Sequence, residues 1–259
     1  MIALQWEPRV PEAVGGISMN GVASDQQLLQ IVNGAAPDTI ADVIAVMQKI
    51  DQLLPGNDGL KWFNLLYLMV TQQVDGQPPA GGWKDAQWLT HLDVVFAKLY
   101  FAAVAGWLTQ SGNTPSSWNA LFESRFKAGV DRIQFALAGM NAHINHDLAL
   151  ALLQTDDDLG LTPGLNSPEH DDYESVNSLL KAVLPAALQF LATGIVGELA
   201  QDTGKIGRFL AIWDIKVARD LAWDFADHLR SLDGLSRTLA LTAQDQLTGV
   251  IGRGLLLPI

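Results

Sequence analysis

Ile133 to Leu153 read IQFALAGMNAHINHDLALALL. Apart from Gln134, both flanks of this stretch are apolar on every face of a helix, which marks a helix buried on all sides. Between the flanks stand Asn141, His143, Asn145, His146 and Asp147. Burying one such group without a partner costs roughly a few kcal/mol, and an ionised group more. A cluster of this kind must satisfy itself or face a solvated cavity. The spacing divides it. His143 and Asp147 lie one helical turn apart on one stripe, with His146 on the other side of His143. Asn141 and Asn145 share a stripe that falls on the opposite face at about 100° per residue.

Helical periodicity continues on both sides of this core segment. Helices are predicted at 38–54, 58–74, 84–109 and 115–127 before the central one at 131–155, and at 167–200, 206–233 and 235–252 after it. Pro55-Gly56 and Asp75-Gly76 stop helices, Asp38 and Ser167 are placed to cap them, and Pro115 and Pro168 suit a first turn. Pro185 is expected to kink the helix that contains it. Residues 1–37 carry Pro8, Pro11, Gly15, Gly16, Gly21, Gly34 and Pro37. They read as an N-terminal arm or lid with a short helix near 24–32, ahead of a single helical domain at 38–259. No alternating run bounded by hairpin turns occurs. The fold class is therefore all-α: a single-domain, orthogonal or bundle-like array of about eight helices around a buried central helix.

A chain of 259 residues, 49% hydrophobic and 17% charged, has the composition of a globule with a large interior rather than of a disordered segment. The net charge of −12 comes from scattered acids, without the clustered Lys and Arg that nucleic acid or an anionic membrane would need. With no cysteine, the chain has no disulfide, thiolate nucleophile or Cys-bound zinc or iron–sulfur cluster. The first residues lack a basic segment followed by a long apolar one, so a cytoplasmic location is expected. The apolar stretch 182–197 is broken by Pro185 and Gln189 and is short for a membrane span.

Three functional readings fit the His/Asp face. His143 and Asp147 are spaced to chelate a divalent metal, Zn or Mn, from one helical face. They are equally spaced for an acid–base dyad in which the carboxylate orients the imidazole. They also suit a pocket for a small, largely apolar molecule. A fourth reading is structural: a satisfied network that fixes helix packing. Further metal ligands would have to come from other helices, with His91 and Asp172 the candidates. His170 and Asp171 share with Asp172 the first turn of a helix, where acids complement the dipole, Asp214 and Asp224 are flanked by large apolar residues, and His228 reads as a surface residue. Asp93 precedes an apolar helix face and is expected to point inward, and Arg219, between Trp213 and Trp223, is a candidate counter-ion. Asn141, Asn145, His146, Asp93, Arg219 and Tyr100 complete the expected pocket wall. Missing are the Glu-x-x-His pairs of di-iron bundles, H-E-x-x-H, G-x-S-x-G, the phosphate-binding P-loop and the dinucleotide fingerprint. The sequence carries no haem, flavin or NAD signal. It leaves the choice between an enzyme and a non-catalytic binding protein open.

At GMNAHINHDL, Gly139 to Leu148, the chain resembles a widespread bacterial family known as a domain of unknown function. FNLLYLMVT (Phe63–Thr71), LDVVFAKLY (Leu92–Tyr100), SSWNALFE (Ser116–Glu123), DDYESVNSLL (Asp171–Leu180), ARDLAW (Ala218–Trp223) and the closing GLLLP carry the same resemblance. It runs from about Ile40 to the C-terminus and excludes the N-terminal arm. Other residues stand at the position of His146 in similar sequences, so the resemblance favours His143 and Asp147 as the centre of the site. It implies no activity.

Overall fold

The computed structural model describes residues 19–192 and 214–258, and among these there are helices and no strands. In order they are α1 (Met19–Asn33), α2 (Ile40–Leu53), α3 (Gly59–Gly76), α4 (Ala86–Thr109), α5 (Ser116–Glu123), α6 (Arg132–Ala142), a π-helical turn (His143–Asp147), α7 (Leu148–Leu159), α8 (Pro168–Ala192), α9 (Ile215–Ser231) and α10 (Gly234–Leu255). Side-chain caps fix many of the starts. Thr39 and Asp42 form a capping box on α2, Asp58 caps α3, Asp85 caps α4, and Ser167 accepts from His170 N at the head of α8.

α6, the π turn and α7 run end to end as one rod through the molecule. α3, α5, α8 and α10 pack on α6, and α4 and α9 pack on α7. Ile133 to Ala142 are all buried, so the predicted central helix is the core of the fold. Gln134, the polar exception on its flank, is fully used. Its Oε1 accepts from Asp131 N at 2.9 Å, and its Nε2 donates to Leu255 O and Leu257 O at 2.7 and 2.8 Å, tying the C-terminal residues to the rod.

Two glycines let α3 and α6 approach closely. A Cβ on Gly59 would sit inside the Phe135 ring, and a Cβ on Gly139 would sit inside the Phe63 ring. Each helix thus receives a phenylalanine of the other over its own glycine. Similarly, Gly249 of α10 lies against the Ser116 backbone of α5. α4 is the described helix long and apolar enough to cross a membrane, and its face from Trp88 to Val104 belongs to the core.

Several boundaries differ from the expected ones. α1 starts by Met19 and buries Leu28 and Val32 against its neighbours, so it is longer than the short helix read from the sequence. Thr39 rather than Asp38 is the α2 cap. α5 ends at Glu123 instead of 127, because Arg125 turns inward to pair with buried Asp58 and its carbonyl accepts from Gly59 N. The predicted helix at 131–155 is interrupted by the π turn. α8 stays helical through Pro185, and the expected continuation over 193–200 lies outside the described residues, as do 206–213 and residues 1–18 of the predicted arm.

Candidate functional site

The π turn, His143–Asp147, holds all of the polar island except Asn141. Leu148 N–H donates to His143 O, five residues back instead of four. Such turns inside α-helices are rare, and they redirect side chains by widening one turn. The two polar stripes meet different neighbours. Asn145 Nδ2 donates to Asn141 Oδ1 at 3.0 Å, and Asn141 Nδ2 donates to Thr248 O of α10 at 2.9 Å. Gln244 of α10 donates to Asn145 O at 2.8 Å. The amide pair is therefore a clasp between the rod and α10.

Asp147 is the meeting point on the other stripe. It is buried and accepts at three places: Trp118 Nε1 and His143 Nδ1 reach Oδ2, each at 2.9 Å, and His146 Nδ1 reaches Oδ1 at 2.8 Å. Burial pushes its carboxyl up, but the hydrogen bonds from His143 and His146 and the nearby charge of His146 outweigh this and hold it below the usual range. An ionised Asp147 needs N–H at Nδ1 of both imidazoles. His146 is driven down by burial and, more strongly, up by Asp147 and by Asp245, whose Oδ1 lies 3.7 Å from its Nε2, so its affinity for a proton is raised. Asp245 in turn accepts Ser116 N and Ser117 N at the start of α5.

His143 differs from its neighbour. Burial lowers its pKa despite the Asp147 hydrogen bond, so the ring is neutral with its proton on Nδ1 and a bare lone pair on Nε2. Phe96 stacks flat on it, with centroids 3.5 Å apart and planes within 6°, and Tyr67 meets it edge-on at 4.6 Å. Rings on several sides hold the imidazole in one orientation. Its Nε2 is buried and has no hydrogen-bond partner.

His143 lines a cavity of about 60 Å³ shared by α3, α4, α8, α9 and the rod. Most of the wall is apolar, including Val70, Val74, Leu92, Ile144, Leu148 and Leu180, and Tyr67, Asp93 and Arg219 are the other polar side chains on it. Among the described residues the Tyr67 hydroxyl and Asp93 Oδ2 are likewise buried and form no hydrogen bond of regular geometry, although the Thr71 hydroxyl one turn on interacts with the phenol. Burial raises the Asp93 carboxyl to about 7, with the negative charge of Asp75 adding to the rise. Burial also raises the Tyr67 phenol well above its ordinary value, and the Asp93 charge reinforces this, while the Thr71 hydroxyl one turn on offsets part of it. Near neutral pH the cavity therefore presents a neutral base, a carboxyl group poised between its two forms and a neutral phenol.

The structure brings Asp93, His143 and Arg219 to one wall, and it corrects the role expected of Arg219. No carboxylate pairs with it among the described residues. Its Nε donates to Asn177 Oδ1 and its Nη2 to Tyr173 O, both at 2.7 Å, and its guanidinium lies over the Tyr173 ring at 4.0 Å. Tyr100 stands behind the site, stacked on Trp118 and donating to Asn64 Oδ1 at 3.3 Å. Of the expected metal ligands, His91 pairs with Asp158 at 2.9 Å near the surface, and Asp172 accepts Lys84 N and Asp85 N ahead of α4. Neither joins His143 and Asp147, whose facing atoms are taken up by one another. Among the described residues no three His, Asp or Glu side chains are grouped to hold a metal ion. Asp214 is the exposed cap of α9, Asp171 pairs with Lys84, His170 packs edge-on against Trp223, and Asp224 and His228 are exposed. Tyr67, Phe96, Trp118 and Asp245 were not singled out in the sequence. All but Asp245 look there like ordinary core aromatics, and only the packing of separate helices shows what they touch.

No curated protein and no solved structure matches the chain. The model of a family of unknown function, DUF5995, matches residues 40–258, which include every residue of the cavity and of the Asp147 network and exclude α1. The chain belongs to that family, DUF5995.

Proposed function

We propose that the protein is an enzyme that moves a proton on a small, largely apolar molecule bound beside His143. The observation that supports this is that three side chains lining one apolar cavity each carry a buried polar atom without a regular hydrogen bond among the described residues, His143 Nε2, Tyr67 Oη and Asp93 Oδ2. Each such group costs roughly 1–3 kcal/mol when left unsatisfied. A bound molecule that pairs with them offsets that cost. His143 serves as general base through Nε2. Asp147 holds the productive tautomer and stabilises the imidazolium that forms, the part a carboxylate plays beside histidine in hydrolytic triads. Asp93 in its protonated form is the acid. Activity is expected to fall above about pH 7 as Asp93 ionises, and to fall in acid as His143 takes up a proton.

A second reading has its own support, because Asp147, His146, Asn141 and Asn145 are satisfied within the protein. On that reading the island fixes the packing of the rod against α5 and α10, and the protein binds without catalysis.

Ring-¹⁵N NMR of the histidines during a screen of small apolar fragments separates the two. The enzymatic reading expects an unprotonated Nε2 on His143 whose signal moves with a fragment, and loss of turnover in His143→Ala with helix content retained. If no fragment moves that signal and His143→Ala only lowers the melting temperature, the packing reading stands instead.

A further inference from the structure

We infer that the substrate is a small aliphatic ketone or aldehyde, its oxygen held by Tyr67 and Asp93 while His143 Nε2 takes a proton from the carbon beside the carbonyl. This rests on the acid–base reading above and adds to it the chemical class of the ligand.

The cavity wall supports the assignment by what it offers and what it lacks. Two of its unpartnered groups carry an oxygen that donates, the phenol of Tyr67 and the carboxyl of Asp93 in its protonated form, and the third, His143 Nε2, only accepts. A carbonyl oxygen has two lone pairs and matches two donors. The hydrogen on the adjacent carbon is the acidic one in such a compound, and it matches the base. An alcohol would match the three groups at rest, its hydroxyl donating to Nε2 and accepting from the two donors, but it carries no acidic C–H for the base to remove. A carboxylate or phosphate would bring a charge beside Asp93, and the guanidinium of Arg219 is already engaged by Asn177 and Tyr173. Among the described residues no Ser, Cys or Lys lines the cavity, so none of these offers a nucleophile there. At roughly 10–15 Å³ for each water-sized position, a cavity of about 60 Å³ holds about four to six non-hydrogen atoms, a small ketone or the reacting end of a longer one.

The step balances. The C–H bond beside the carbonyl breaks, and its proton goes to His143 Nε2. Its electron pair forms the carbon–carbon double bond, the carbonyl π pair moves onto oxygen, and that oxygen takes the proton of Asp93. The products are the enol, an imidazolium facing the Asp147 carboxylate, and the Asp93 carboxylate. Once the imidazolium proton has exchanged with solvent, its return to the same carbon gives α-exchange, and in a β,γ-unsaturated ketone its return to the γ-carbon moves the double bond into conjugation.

The test uses the full chain with butanone and cyclopentanone in D₂O, and with cyclopentanol and cyclopentane as shape controls. Loss of the α-proton signals is followed by NMR, and the His143 ring nitrogens are followed in parallel. Wild type is expected to accelerate α-exchange of at least one ketone over buffer. His143→Gln should lower the acceleration by about 10²–10⁴-fold. Tyr67→Phe, which removes one donor and leaves the ring packing, should lower it by about 10²–10³-fold. Acceleration that survives Tyr67→Phe unchanged overturns the grip on oxygen and with it the substrate class. If neither ketone exchanges faster than in buffer while cyclopentanol or cyclopentane moves the His143 signals, the carbonyl assignment falls and the small-molecule site stands. If no probe moves those signals and none exchanges, or if exchange persists in His143→Gln, the assignment and the acid–base reading fall together.

Discussion

Among the described residues the buried Tyr67 hydroxyl makes no hydrogen bond of regular geometry, so Tyr67→Phe is expected to raise stability by about 1 kcal/mol, measured by denaturant unfolding. A loss of stability would mean that the hydroxyl has a partner after all. Asp93 carries the same kind of cost, and its cost depends on pH. The carboxyl titrates at 3.8 in the unfolded chain and at about 7 in the folded protein. Between these values the unfolded chain has released a proton that the folded protein retains, so the contribution of Asp93 to stability falls as pH rises through that window. The fall amounts to on the order of 4 kcal/mol. His143 acts in the opposite direction, because its lowered folded pKa costs stability as pH drops below 6.5. Comparison with Asp93→Leu isolates the first effect. The variant should exceed wild type in stability at pH 7.5, with the gap narrowing towards pH 4, and a gap constant with pH would contradict the burial of an ionisable Asp93.

Between helices, the close approach of α3 and α6 depends on Gly59 and Gly139. Gly139→Ala forces a methyl group into the base of the Phe63 ring, and it is expected to destabilise the protein by about 1–3 kcal/mol. Phe63 also packs edge-on against His143 at 5.6 Å, so the same substitution should shift the His143 ring signals. An unchanged melting curve and spectrum would show that α3 yields freely. The helices themselves were legible in the sequence, because apolar spacing, capping acids and Gly–Pro stops are local signals, and the apolar flanks of 133–153 marked the rod correctly. The π turn was not legible. A reading at about 100° per residue presumes a regular helix, and the extra residue per turn is held by neighbours from α4, α9 and α10. The same limit applies to the cavity. Asp93 announced itself as an acid heading an apolar face, but Tyr67 stands on a face that is otherwise plain core, and its orphaned hydroxyl appears only when α3, α4 and the rod are assembled.

For the molecule as a whole, the family match begins at residue 40, yet α1 buries Leu28 completely and Val32 almost so, and Asp25 reaches Arg125 at 3.1 Å. Burying two such side chains is worth about 3 kcal/mol or more. Deletion of residues 1–37 is therefore expected to lower stability by about that much, as read by thermal or denaturant unfolding. Equal stability of the shortened chain would make α1 an accessory that the domain does without. The crossed pairs Gly59–Phe135 and Gly139–Phe63 carry a consequence for descent. A side chain gained at either glycine is tolerable only in a lineage whose opposing phenylalanine has already shrunk, and a shrunken phenylalanine leaves a void until the glycine grows. Substitutions at these positions should therefore arrive as partners, so that in related chains the size of one residue foretells the size of the residue facing it.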